Sequence, residues 1–166
     1  MAAELMAQHT RSGARVLDAG AGTGLVGVEL YRLGYRDPVG IDLSEDMLAQ
    51  ARAKGVYSEL HKMELGEPLD FPSDSFDATI CVGVFTLGHA PASSLDELVR
   101  VTRPGGFVVF TIRPDVYEND GFKEIQENLV SAGRWKLVEV TEEFQALPRG
   151  EPEVQHQVWL YQVTPE

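Results

Sequence analysis

The chain predicts an α/β fold in which a mostly parallel sheet carries helices on both faces. Three observations predict it. Short apolar runs alternate with amphipathic stretches along the 166 residues, joined by short turn-rich connections, and that order of elements builds a parallel sheet. The run Val16-Leu17-Asp18-Ala19-Gly20-Ala21-Gly22-Thr23-Gly24 leads an apolar strand into a turn with three alternating glycines. A second strand then ends on a carboxylate, Asp42, eighteen residues after Gly24.

The elements follow in order. Residues 1–10 read as the end of a helix that Ser12-Gly13 breaks, and 15–18 as the first strand. Leu25, Val26, Val28, Leu30 and Leu33 make the apolar side of the next helix, which stops at Gly34. After the second strand, at 39–42, Ser44 is positioned to cap a helix whose first turn holds Glu45 and Asp46. Met47, Leu48 and Ala51 carry that helix to Gly55. A short strand near 57–61 and an acidic, proline-containing loop at 67–74 lead to a fourth strand from Phe76 to about Val84. Ser94-Leu95-Asp96-Glu97 fits a capping box. Pro104-Gly105-Gly106 then turns the chain into a buried fifth strand at 107–112. Residues 120–132 read as a helix with Phe122, Ile125 and Leu129 inward, and two last strands lie near 135–144 and 155–163.

An apolar content of 43% is enough for one domain over 1–166 with a sizeable core. The net charge of −12, with Arg100, Arg103 and Arg113 scattered, argues against a nucleic-acid partner. Acidity of this kind serves solubility. Cys81 is the only cysteine, so neither a disulfide framework nor a thiolate metal site is expected. It sits in an apolar run, as an inert buried thiol would. No stretch approaches eighteen apolar residues and no charged-then-apolar leader is present. The expectation is a protein without membrane contact in a reducing compartment, the cytoplasm, with the nucleus left open.

Glycines in such a turn let backbone approach a nucleotide, and the late acid accepts from ribose hydroxyls. As a tight turn alone the Gly-x-Gly-x-Gly would carry little weight. Asp18 before it and Asp42 after it make it a cofactor loop. A dinucleotide fingerprint counted from Gly20 needs Gly or Ala where Leu25 stands, and Asp18 would repel a pyrophosphate. A carboxylate there suits a cationic end, such as the ammonium of a methionine moiety. The loop therefore reads as a site for S-adenosylmethionine rather than NAD.

Taken together, these pieces resemble the class I S-adenosylmethionine-dependent methyltransferases from residue 14 onward. The segments Gly83-Val84-Phe85-Thr86-Leu87-Gly88-His89-Ala90-Pro91 and Leu95-Asp96-Glu97-Leu98-Val99-Arg100-Val101-Thr102-Arg103-Pro104-Gly105-Gly106 are similar to those of the methyltransferase-like protein 27 family of the Williams–Beuren region. The resemblance implies a Rossmann-like, seven-stranded, mostly parallel sheet with the last strand antiparallel between its neighbours. The 145–154 connection is too short for a helical crossover, which fits.

The resemblance also implies a site. Asp18, Ala19, Gly20, Gly22 and Gly24 would receive the methionine and ribose portions, and Asp42 the ribose diol through charged hydrogen bonds. Leu43 and Met47 are candidates to cover one adenine face. Glu64 would accept from the adenine amino group, with Met63 and Leu65 flanking the ring; the plainer roles are a solvated acid and two core residues. Cys81, Val82 and Gly83 would lie under the sulfonium.

Methyl transfer is an in-line displacement whose leaving group the cofactor brings, so the protein contributes mainly proximity, orientation and exclusion of water. A general base is needed only when the acceptor must lose a proton early. His89 is the candidate, with a structural histidine as its plainer role. Asp115 and Tyr117, after the fifth strand, are candidates for the acceptor side or simple loop residues.

The fourth strand ends Cys81-Val82-Gly83-Val84, without the Asn/Asp-Pro-Pro-Tyr/Phe motif of many amide and base methylases, which leaves a small-molecule acceptor. About thirteen residues precede Ala14, whereas many relatives carry further N-terminal helices over the cofactor. A domain with its lid largely absent is expected, either as a shortened form or completed by another chain. Two functions follow: methyl transfer, or a catalytically silent domain that holds S-adenosylmethionine or S-adenosylhomocysteine and acts through a protein partner.

Overall fold

Apolar runs alternating with amphipathic ones leave little freedom in element order, and the computed structural model, which describes residues 2–85, 90–141 and 157–165, follows that alternation. Helix α1 (Ala2–Ala7) precedes β1 (Val16–Ala19), α2 (Leu25–Arg32), β2 (Val39–Asp42), α3 (Glu45–Ala53), β3 (Glu59–Lys62) and β4 (Phe76–Phe85). Then come α4 (Ser94–Val101), β5 (Thr102–Ile112), α5 (Pro114–Asn119), α6 (Phe122–Ser131), β6 (Trp135–Val140) and β7 (Gln157–Val163). Among the described residues the strands form one seven-stranded sheet, ordered β3-β2-β1-β4-β5-β7-β6. Strand β7 runs antiparallel between β5 and β6, and the other pairings are parallel. Strand order reverses between β1 and β4, which opens a crevice at their carboxyl ends.

Alternate residues of the central strands face opposite layers, as the period of two requires. Val16, Ile80 and Val109 pack with Leu5 and Met6 of α1 and Leu30 of α2. Leu17, Cys81, Val108 and Phe110 pack with Leu95 and Leu98 of α4 and Phe122 and Leu129 of α6. Both faces are therefore buried, which is why these strands read as continuous apolar runs.

Four expectations are corrected. On α2, Leu25 and Val28 point outward, 67% and 39% exposed, while Val26, Gly27, Leu30 and Leu33 form the inner stripe. Ser94 and Glu97 do not form a capping box. Ser93 precedes the helix without a side-chain cap, and Ser94 is buried. Glu97 instead accepts from the Leu69 N–H at 2.6 Å and from Arg100 Nε at 2.6 Å. Arg100 donates on to the carbonyls of Leu69 and Phe71, so α4 clamps the loop ahead of β4. The Arg100 hydrogen bond to Glu97, helped by the Leu69 N–H, holds the Glu97 carboxyl below its usual range. The strand after α4 starts earlier than expected, at Thr102, whose hydroxyl meets that of Thr79 at 2.7 Å in the core. Helix α5 falls where only loop residues were read. Ser44, by contrast, caps α3 as expected, accepting from the Met47 N–H at 3.3 Å.

The far end of the sheet is tied by an aromatic stack. Trp135 and Tyr161 lie 3.8 Å apart between ring centres, with Phe110 and Trp159 extending the column. Buried Gln126 of α6 donates to the Tyr161 hydroxyl at 2.8 Å, and its backbone carbonyl accepts from Trp135 Nε1. Burial pushes the Tyr161 hydroxyl up to about 12, so it stays protonated.

At the base of β5, a Cβ on Gly106 would run into the Asp77 carbonyl and crowd that of Arg103. Backbone cannot yield there as a flexible side chain would. Gly106→Ala is expected to cost about 1–3 kcal/mol, the scale of overpacking, read as a lower midpoint in urea unfolding at unchanged slope.

Candidate functional site

The crevice beside β1 is shaped by its glycine turn. Gly20 has a φ of +77°, and a Cβ there would run into Val84 at the end of β4; a side chain is therefore excluded on both conformational and steric grounds. The Gly20 and Ala21 N–H groups donate to the Ile41 carbonyl at 2.9 and 2.8 Å, which fastens the turn to β2. Strand β4 is itself irregular beyond Cys81, and the Gly83 N–H donates to Thr111 Oγ1 at 2.8 Å. Just beyond, Val84 stands against Gly20 of the turn.

Asp42 sits at the meeting point. Its Oδ2 accepts from the Gly22 N–H at 2.9 Å and its Oδ1 from the Ser44 N–H at 2.9 Å. Two backbone donors from different segments thus fix the carboxylate. A carboxylate offers about four acceptor positions, so each oxygen keeps one for a ligand.

Around these groups lies a cavity of about 790 Å³, within the size range of small-molecule sites. Gly20–Thr23 and Val82–Val84 line one end; Leu43, Met47, Met63, Glu64 and Leu65 line the other, with Asp42 between. Leu25, Leu43 and Met47 are large apolar side chains left 67%, 55% and 39% exposed, and all three border this cavity. Open apolar surface gathered at a cavity rim is what a ligand ring would cover. Among the described wall residues, Asp42 and Glu64 are the ionisable ones.

Asp18 lies behind the turn rather than on the cavity wall, 1% exposed. Its Oδ2 accepts from the Tyr57 hydroxyl at 2.6 Å, and its Oδ1 is buried with no partner. Burial pushes this carboxyl up to about 7; the Tyr57 hydrogen bond opposes that rise and the charge of Asp42 adds to it. Burial and the Asp18 charge push Tyr57 well above the usual phenol range, so its hydroxyl remains the donor. Burial, with repulsion from Asp18, also raises the Cys81 thiol, as an inert core cysteine requires.

Of the residues read from the sequence, the cavity wall gathers Gly20, Gly22, Asp42, Leu43, Met47, Glu64, Leu65, Val82 and Gly83. Asp18, Ala19, Gly24 and Cys81 lie outside that wall. So do Asp115, paired with Arg113 at 2.9 Å, and Tyr117, stacked on Trp159 at 5.0 Å. His89 falls outside the described residues. Among the described residues, no group of three His, Cys, Asp or Glu could hold a metal ion. No described helix is long and apolar enough to cross a membrane.

The methyltransferase domain family matches residues 17–110, which include the glycine turn, Asp42 and β4. The chain belongs to the class I S-adenosylmethionine-dependent methyltransferases. Human methyltransferase-like protein 27 is 41% identical over 128 residues, covering 74% of this chain and 51% of that protein. The phosphatidylethanolamine N-methyltransferase of Cereibacter sphaeroides is 41% identical over 104 residues, 58% of this chain and 49% of the relative. The chain thus spans about half the length of the curated relatives it matches. An S-adenosylmethionine-dependent methyltransferase structure from Methanosarcina mazei has a TM-score of 0.77 at 16% identity, covering 98% of both chains.

S-adenosylmethionine is therefore the cofactor that this family implies for the chain, and three features of the wall bear on it. The fixed Asp42 carboxylate has acceptor positions to spare, the apolar rim is uncovered, and the turn admits no side chain at Gly20. Tyr57, the partner of Asp18 behind the turn, was not legible in the sequence. The only available sign was that Gly27 and Gly40, an unremarkable pair in the sequence, leave room for its ring: a Cβ on either would run into it or crowd it.

Proposed function

We propose that the cavity binds S-adenosylmethionine with its amino-acid end toward Gly20–Thr23, its ribose diol on Asp42 and its adenine between Leu43, Met47 and Leu65, and that the domain transfers the methyl group to a small-molecule acceptor. The observation that carries this reading is Asp42. Its two oxygens are fixed by the Gly22 and Ser44 N–H groups, and they stand between the turn and the apolar rim. One acceptor position on each oxygen suits two vicinal hydroxyls. Glu64, on the same wall, is the acceptor available to the adenine amino group.

When bound, the cofactor supplies an activated methyl group and its own leaving group. The remaining task is to hold an acceptor in line and keep water away. Val82, Gly83, Val84 and Ala90 offer an apolar wall for that, with Cys81 packed beneath it in the core. No ionisable side chain lines that end among the described residues, and the candidate base His89 lies outside them.

The test is incubation with methyl-labelled S-adenosylmethionine and a panel of small amines, phenols and quinols. Label is expected on a small-molecule acceptor, and Asp42→Ala is expected to suppress it. Tight cofactor binding without transfer to any member of the panel, even at high protein concentration, would contradict the proposed acceptor class.

A further inference from the structure

Residues 63–75, between β3 and β4, belong to no helix or strand, and Met63, Glu64 and Leu65 at their start line the cavity. The backbone bonds of this segment gather at its ends. The Met63 N–H donates to the Asp42 carbonyl at 3.2 Å and the Glu67 N–H to that of Glu64 at 3.2 Å, while the Asp74 N–H donates to the Arg100 carbonyl at 2.9 Å. In between, the main chain is held by two side chains of α4. Leu69 is gripped through both of its backbone polar groups: its N–H donates to Glu97 Oε1 at 2.6 Å and its carbonyl accepts from Arg100 Nη2 at 2.9 Å. Arg100 Nη1 donates to the Phe71 carbonyl at 2.9 Å. The two side chains are joined to each other through Nε and Oε2 at 2.6 Å and Nη2 and Oε1 at 2.9 Å. Gly66 lies against Pro91, ahead of α4, where a Cβ would run into the proline ring.

A fork of this kind fixes position as well as charge, because a guanidinium presents its donors in one plane. Arg100 and Glu97 are 30% and 21% exposed, so solvent screens the pair only in part. Neither lines the cavity.

We propose that Arg100 and Glu97 are positioning residues for the adenine end of the cofactor site. By holding Leu69 and Phe71 they fix Glu64 and Leu65 where an adenine amino group meets the Glu64 carboxylate, and so set the preference for an amino over an oxo group on the purine. This rests on the reading of the cavity given above. An oxo group would set oxygen against the carboxylate, and that penalty is felt only while Glu64 is held. Selectivity of this kind needs the acceptor fixed to within about 0.5 Å by the groups behind it. A released segment would let the acid turn away, and discrimination would collapse.

The experiment is calorimetric titration with S-adenosylhomocysteine and with S-inosylhomocysteine, in which oxygen replaces the purine amino group, on the wild type, Arg100→Lys, Glu97→Gln and Glu64→Ala. The wild type is expected to prefer the adenosyl ligand by about tenfold, the scale of a hydrogen bond to a charged group. Glu64→Ala should erase most of that ratio. Arg100→Lys keeps the charge and loses the fork, and both clamp variants should bring the ratio close to that of Glu64→Ala. Adding Arg100→Lys to Glu64→Ala should then change the ratio no further. Equal losses for both ligands, with the wild-type ratio kept, would leave the clamp a structural support and overturn the proposal alone. Should the clamp variants not fold, amide exchange on the wild type decides. Saturating S-adenosylhomocysteine is expected to slow exchange at Leu69 more than saturating S-inosylhomocysteine does, and equal protection would overturn the proposal. A wild type that binds both ligands equally would overturn the Glu64 reading, and one that binds neither would overturn the site reading, each taking the proposal with it.

Discussion

Asp42→Ala lowers the affinity for S-adenosylmethionine by about 10- to 150-fold, the equivalent of roughly 1.5–3 kcal/mol for hydrogen bonds to a charged group. The loss has two sources. The variant removes the acceptors for the ribose diol, and it also frees the Gly22 and Ser44 N–H groups that hold the turn against β2. Asp42→Asn should be nearly as damaging. Both carboxylate oxygens accept from backbone N–H groups, and an amide has only one oxygen, so its NH₂ would face a donor. Calorimetry on folded variants checks both. Wild-type affinity in either would mean that the ribose is held elsewhere.

Asp18→Asn stabilises the unliganded chain above pH 7. Burial raises the folded-state pKa of Asp18 from an ordinary 3.8 to about 7. The folded state therefore prefers the protonated acid. The stability this contributes is complete below the unfolded pKa, is lost as pH rises toward 7, and stays lost above it. Three pH units correspond to at most about 4 kcal/mol. An amide never ionises and can still accept from Tyr57, so the variant should escape that loss. Urea unfolding at pH 5 and pH 8 reads the effect: the variant's advantage should be larger at pH 8 than at pH 5, by up to about 3 kcal/mol. An equal difference at both values would show that Asp18 does not titrate in this window.

The sheet was legible because its cause is local. Strands buried on both faces must be runs such as 107–112, and the glycine turn with Asp42 after it declares where strand order reverses. The antiparallel β7 was implied by the family resemblance and not by its connection, because sixteen residues separate Val140 from Gln157, enough for a crossover. Side-chain destinations were harder to read. Glu97 sits three residues after Ser94, as a capping box demands, yet Arg100 one turn later and the bare Leu69 N–H compete for the same carboxylate and win. Leu25 and Val28 are apolar at helical spacing, but the inner stripe of α2 passes through Gly27, which carries no hydropathic signal. Leu25 borders the cavity instead, where exposure has a use. Asp42 and several other residues read from the sequence share one cavity wall because they stand at or just beyond the carboxyl ends of neighbouring strands. Tyr57 escaped because its partner is thirty-nine positions away and its slot is made of absent side chains.

The central claim is that the cavity between the glycine turn and β4 is an S-adenosylmethionine site. Calorimetric titration of the wild-type chain with S-adenosylmethionine, S-adenosylhomocysteine and NADH tests it most directly. The first two should bind with one-to-one stoichiometry and compete, and NADH should not bind. Binding of NADH, or a folded chain that takes up neither methyl donor nor product, would contradict the claim.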